Sequence, residues 1–152
     1  MKQTEIVETE NVSLRSEDYF QRMLINEREE SEKSGHQFML VLLDVGELLN
    51  EKWNEKETLL QELSGVLHTA TREIDVKGWY LFNTLIGIIY PGYCKEDKDS
   101  AVEKLRQKIK SNLEFREAES IKIYTIFFSN IEEHNAPISE TRLNMFPQLQ
   151  DR

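Results

Sequence analysis

The chain has 152 residues, of which 39% are hydrophobic and 31% charged, with a formal net charge of −9. That length suits one domain with a sizeable single core, and the acidity argues against a general nucleic-acid or anionic-membrane binder. A lone cysteine, Cys94, excludes an internal disulfide and a cysteine-based zinc site. It follows Pro91-Gly92 with no His partner nearby and reads as an ordinary loop thiol. His36, His68 and His134 are widely spaced and form no metal-ligand motif. No segment approaches the ~20 apolar residues of a membrane span, so no membrane insertion is expected. The acidic, polar start is unlike a signal peptide, which makes the cytoplasm the expected location.

Residues 1–13 are polar and acidic and are expected to form a flexible arm. Ser16 is placed to cap a helix from Glu17 to about Lys33, with Tyr19, Phe20, Met23 and Leu24 on its apolar face and Ser34-Gly35 at its end. Phe38 to Val45, FMLVLLDV, is a continuous apolar run of strand length, suited to a central strand buried on both faces. Asp44 stands at its end, where a carboxylate serves either a site or the capping of the next turn. A short helical turn and a loop should occupy 46–54. Glu55 to about Asp75 reads as the longest apolar-striped helix, with Leu59, Leu63, Val66, Ala70 and Ile74 in one line and Leu60 and Leu67 widening it.

The stretch REIDVKGWYLFNTLIGIIYP, Arg72 to Pro91, organises the rest. It reads as a helix end followed by two strands rich in aromatic and β-branched residues, closed by Pro91-Gly92. The turn is predicted at Phe82-Asn83-Thr84, because Asn tolerates the positive φ that a tight hairpin demands. Leu81, Phe82 and Leu85 make this loop tip unusually apolar. A further helix is expected from Asp97 or Asp99 through about Phe115, burying Ala101, Val102, Leu105, Ile109 and Leu113. Ile121 to Ser129, IKIYTIFFS, reads as another strand. The pattern fades after residue 130, and Pro137 and Pro147 interrupt the tail 131–152, which is expected to be irregular around Ile138 to Phe146.

The predicted architecture for 14–130 is therefore α/β (α+β): a mostly antiparallel central sheet with flanking helices, built β-α-β-β-α-β in the ferredoxin-like manner. At VLLDVGEL, at the hairpin and in the helix between them, the chain resembles a GGDEF domain, the diguanylate cyclase fold related to nucleotidyl cyclases. The resemblance covers about Leu14 to Ser129 and implies a bacterial signalling role.

Residue by residue, the resemblance places the family's metal-binding aspartate on Asp44 and its five-residue GGDEF turn on Leu81, Phe82, Asn83, Thr84 and Leu85. None of those five residues is retained. Glycine lets the backbone approach a triphosphate closely, whereas Leu81 and Phe82 push side chains into that space. Thr84 replaces the acid that would share two divalent ions with Asp44 and has weak affinity for Mg²⁺. Lys52 aligns with the asparagine that reads guanine. The implication is no cyclase activity, no cofactor and no bound metal, with Asp44 vestigial. One family feature survives, the inhibitory R-x-x-D site, with Arg72-Glu73-Ile74-Asp75 ending six residues before Leu81. An arginine fork and a carboxylate can grip guanine or phosphate, which implies a cyclic di-GMP receptor. The same spacing at a helix end also describes an ordinary surface ion pair. The alternative is a nucleotide-independent interaction module, docking a protein partner or forming a homodimer through the LFNTL hairpin.

Overall fold

The computed structural model describes residues 14–128; the expected arm, the tail 131–152 and His134 lie outside them. Helix α1 (Glu17–Ser34) begins where Ser16 Oγ accepts from Tyr19 N at 3.1 Å and ends at Gly35, whose φ is 82°. Strand β1 (Phe38–Asp44) is followed by α2 (Gly46–Glu51), a 3₁₀ turn (Trp53–Glu55) and α3 (Lys56–Ala70). Strands β2 (Val76–Leu81) and β3 (Leu85–Pro91) form the hairpin. A 3₁₀ turn (Lys95–Asp97), α4 (Lys98–Asn112), α5 (Phe115–Glu119) and β4 (Lys122–Phe128) complete the described chain. Cys94 donates its thiol proton to Glu96 Oε1 at 2.7 Å, and this bond holds its pKa above the ordinary value.

Two predicted helices run too long. The helix predicted through Asp75 stops at Ala70, and Ile74, expected on its buried stripe, is exposed. Asp75 causes this: its carboxylate accepts from Arg72 N at 2.7 Å, a local turn that competes with another helical turn. The helix predicted through Phe115 ends at Asn112. Phe115 opens the short α5 instead and is exposed.

The sheet is antiparallel in the order β2-β3-β1-β4, because β3 lies between the helix-linked β1 and β2, and β1 lies between the helix-linked β3 and β4. Strand β1 is central and buried on both faces. Its alternate residues Met39, Val41 and Leu43 meet α3 and α4 through Leu59, Leu63, Leu67, Leu105 and Ile109. Phe38, Leu40 and Leu42 meet α1 through Phe20 and Leu24. Phe20 fits because Gly78 and Gly87 face each other across the hairpin. A Cβ on Gly87 would lie 2.5 Å from Phe20 Cζ, which no packing tolerates. Among the described residues no helix is long and apolar enough to cross a membrane.

Candidate functional site

The hairpin has two ends with different chemistry. At its tip, Asn83 takes φ 62°, and Thr84 N donates to Leu81 O at 2.9 Å, which closes the turn at the predicted residues. Val45 N donates to Thr84 O at 2.9 Å and ties the tip to the end of β1, so Asp44 and Thr84 do come together. One oxygen of each side chain is engaged locally. Asp44 Oδ1 accepts from Gly46 N at 3.1 Å, the capping role, and Thr84 Oγ1 donates to Phe82 O at 3.3 Å. A methyl group on Gly46 would stand 3.5 Å from both Asp44 Oδ1 and Thr84 Cγ2, so both side chains border Gly46.

Leu81 and Leu85 are buried in the α1-side core, and within the five-residue turn only Phe82 is a large exposed apolar side chain, at 57%. Its ring meets buried Trp79 edge-on at 5.5 Å. Lys56 Nζ lies 4.4 Å from the ring centre of exposed Trp53 and 5.3 Å from that of Phe82. Lys52 pairs with Glu117 on α5 at 3.8 Å. Among the described residues no three His, Cys, Asp or Glu side chains stand close enough to share a metal ion.

The other end, where β2 begins and β3 finishes, lies roughly 20 Å away at ~3.3 Å per residue of strand. Here Arg72 Nε reaches Asp75 Oδ1 at 3.1 Å, and Nη2 reaches Asp75 Oδ1 at 2.7 Å and Pro91 O at 2.9 Å. The Asp75 side chain is 0% exposed and that of Arg72 40%, so this is a buried carboxylate under a half-exposed guanidinium rather than the surface pair that the spacing alone allowed. The hydrogen bond to Asp75 raises the Arg72 pKa further, against a smaller opposing effect of burial. Nη1 makes no hydrogen bond among the described residues.

Arg72 and Asp75 line a groove of about 720 Å³ together with Arg15, Tyr19, His68 and Lys77. Ligand sites commonly measure ~300–1,000 Å³. Lys77 Nζ donates to Asp75 O at 3.2 Å, and burial lowers its pKa by disfavouring the ammonium. Behind Arg72 lies a second cavity of about 170 Å³, lined by Asp75, Tyr90, Tyr93 and Lys104 among others. The Tyr90 hydroxyl is buried there without a partner among the described residues, and burial pushes its pKa well above the ordinary phenol value.

Sequence reasoning singled out Arg72 and Asp75 but not Arg15, Tyr19, His68, Lys77, Tyr90 or Trp53. The two facing glycines, Gly78 and Gly87, are the sequence signal that a distant segment crosses the hairpin.

No protein-family model and no curated protein matches the chain. Solved structures do. The GGDEF domain of DgcB from Caulobacter crescentus, in complex with c-di-GMP, superposes with a TM-score of 0.60 at 16% identity, covering 88% of each chain. The FimX GGDEF domain from Pseudomonas aeruginosa gives a TM-score of 0.64 at 12% identity, covering 77% of this chain and 76% of that one. The diguanylate cyclase SiaD from the same organism, in complex with its activator SiaC, gives 0.60 at 17% identity, covering 75% of this chain and 46% of SiaD. The overall fold thus recurs across chains with little sequence in common, and in fold this chain is a GGDEF-like domain.

Proposed function

We propose that the chain is a catalytically inactive GGDEF-like regulatory module that binds cyclic di-GMP in the groove beside Arg72. The observation that carries this reading is the Arg72–Asp75 pair. A buried carboxylate fixes the guanidinium with one face exposed on a groove of ligand size. Pre-orientation of this kind reduces the ordering cost of binding. In this arrangement Asp75 is a positioning residue, and a direct bond from its carboxylate to guanine requires the fork to open.

The inactive half of the reading rests on the tip. A two-cation centre needs several oxygen ligands. Asp44 is capped onto Gly46, and Thr84 offers a neutral hydroxyl that bonds within its own turn, so these residues do not fit such a centre. Titration calorimetry tests both halves. Micromolar binding of cyclic di-GMP is expected, weakened ~10- to 100-fold in Arg72→Ala, the value of one arginine fork on a guanine. GTP with Mg²⁺ should give no product. Absence of dinucleotide binding removes the receptor reading, and GTP turnover removes the inactive one.

Exposed Trp53 and Phe82, bridged by Lys56, favour a second reading, an interaction module that docks a protein or a second copy through the tip. SiaD, in complex with its activator protein, is a structural neighbour in keeping with it. In that case Phe82→Asp changes partner binding or the sedimenting mass, and an unchanged result in both argues against docking there.

A further inference from the structure

Arg15 is a second guanidinium in the groove, and the R-x-x-D reading leaves it unused. Its backbone is fastened to the edge of β2: Arg15 N donates to Lys77 O at 3.3 Å, and Trp79 N donates to Arg15 O at 3.0 Å. This parallel bridge depends on Gly78. A Cβ there would stand 3.0 Å from both Cβ and O of Arg15, tighter than ordinary packing allows. The bare glycine therefore places the Arg15 backbone against β2, and Arg15 joins the lining of the groove. Its Cζ lies 4.5 Å from the centre of the Tyr19 ring, one helical turn into the chain from Ser16. Among the described residues the Arg15 side chain makes no ion pair or hydrogen bond. Arg72 is built alike, with Cζ 4.2 Å from the centre of Tyr93. Two guanidiniums, each resting on a tyrosine, thus line one groove.

We propose that Arg15 and Tyr19 form a second half-site that complements Arg72 and makes the groove select a cyclic dinucleotide over a mononucleotide. This rests on the receptor reading given above. A guanidinium is planar and binds phosphate by its fork or stacks on a base by its face, and an aromatic ring behind it holds that plane. The lining carries three cations, Arg15, Arg72 and Lys77, against two carboxylates, Glu73 and Asp75. Asp75 is consumed by Arg72, so cationic charge is left over in a chain whose formal charge is −9. A ligand with two phosphates and two bases can engage both guanidiniums at once, whereas one nucleotide engages one.

The test measures the affinity of cyclic di-GMP and of GMP for the unaltered chain and for Arg15→Ala, Arg15→Lys and Arg72→Ala. Arg15→Ala is expected to weaken cyclic di-GMP roughly tenfold or more while changing GMP less than about twofold, because the second contact is lost only to the larger ligand. Arg15→Lys retains charge without the plane and should fall between. Arg72→Ala should weaken both ligands. Circular dichroism controls for folding, which the exposed Arg15 side chain is not expected to disturb. Unchanged dinucleotide affinity in Arg15→Ala, with Arg72→Ala impaired, overturns the second half-site and leaves the Arg72 site standing. Equal weakening of both ligands by Arg15→Ala overturns the selectivity. If the unaltered chain binds neither ligand, the half-site and the receptor reading fall together.

Discussion

The tip and the mouth of the β2–β3 hairpin are made by the same two strands and do opposite things with side chains. At the tip, Leu81 and Leu85 turn into the core, Thr84 bonds back to Leu81 O and Phe82 O, and the Asn83 side-chain oxygen is buried without a partner among the described residues. At the mouth, a carboxylate is buried and so requires a cation above it, and that cation keeps part of its surface in contact with solvent. Apolar groups close a site by packing, without any directional demand. A buried charge instead fixes the position of its partner, and a half-exposed partner presents its charge to solvent. The difference explains why the less conventional-looking tip is the closed end and the ion pair is the open one.

Three substitutions put this contrast under load. Leu85→Ala removes a fully buried side chain and should destabilise the chain by about 2–5 kcal/mol in urea unfolding. A loss below ~1 kcal/mol would mean that the tip is not the packed end. Asp75→Ala removes the acceptor of Arg72 and should cost about 1.5–3 kcal/mol, the usual value of hydrogen bonds to charged groups. It should also loosen Arg72 and weaken cyclic di-GMP binding. Retained affinity would show that Arg72 needs no buried anchor.

Tyr90→Phe is expected to have the smallest effect and the opposite sign. It deletes a buried hydroxyl that has no partner among the described residues, so stability should stay level or rise by up to about 1 kcal/mol. The pH dependence follows from burial, which raises the folded-state pKa above its ordinary value of 10.0. The unfolded chain then loses the phenol proton first. The stability associated with Tyr90 is fully present below pH 10 and is lost as the pH rises beyond it, and unfolding curves of Tyr90→Phe should lack that part of the alkaline decline. An identical decline in both proteins would place the hydroxyl in contact with water.

Local signals in the sequence were enough for most of the fold. Ser16 and Gly35 bound the first helix, FMLVLLDV is the central strand, and Asn83 marks a turn that only a few residue types can make. The ferredoxin-like order and the likeness to GGDEF domains followed from those elements. Helix ends were read less well. Ile74 continues the apolar stripe of α3, yet the Asp75 carboxylate captures the Arg72 amide and stops the helix, a competition that apolar periodicity does not register. Of the groove, the sequence marked Arg72 and Asp75, which are neighbours along the chain. It did not mark Arg15, because that residue arrives by a bridge to Gly78 more than sixty positions away. Lys56, inserted between Trp53 and Phe82, was missed for the same reason: one of its two partners is distant in sequence.

The slot opposite Phe20 carries a genetic consequence. Since a Cβ on Gly87 would collide with Phe20 Cζ and Cε2, at 2.5 and 2.7 Å, the two positions cannot vary independently. Gly87→Ala alone should be crippling, whereas Phe20→Leu alone leaves a void. Together they should act as mutual suppressors, restoring a helix–sheet fit that neither change permits by itself.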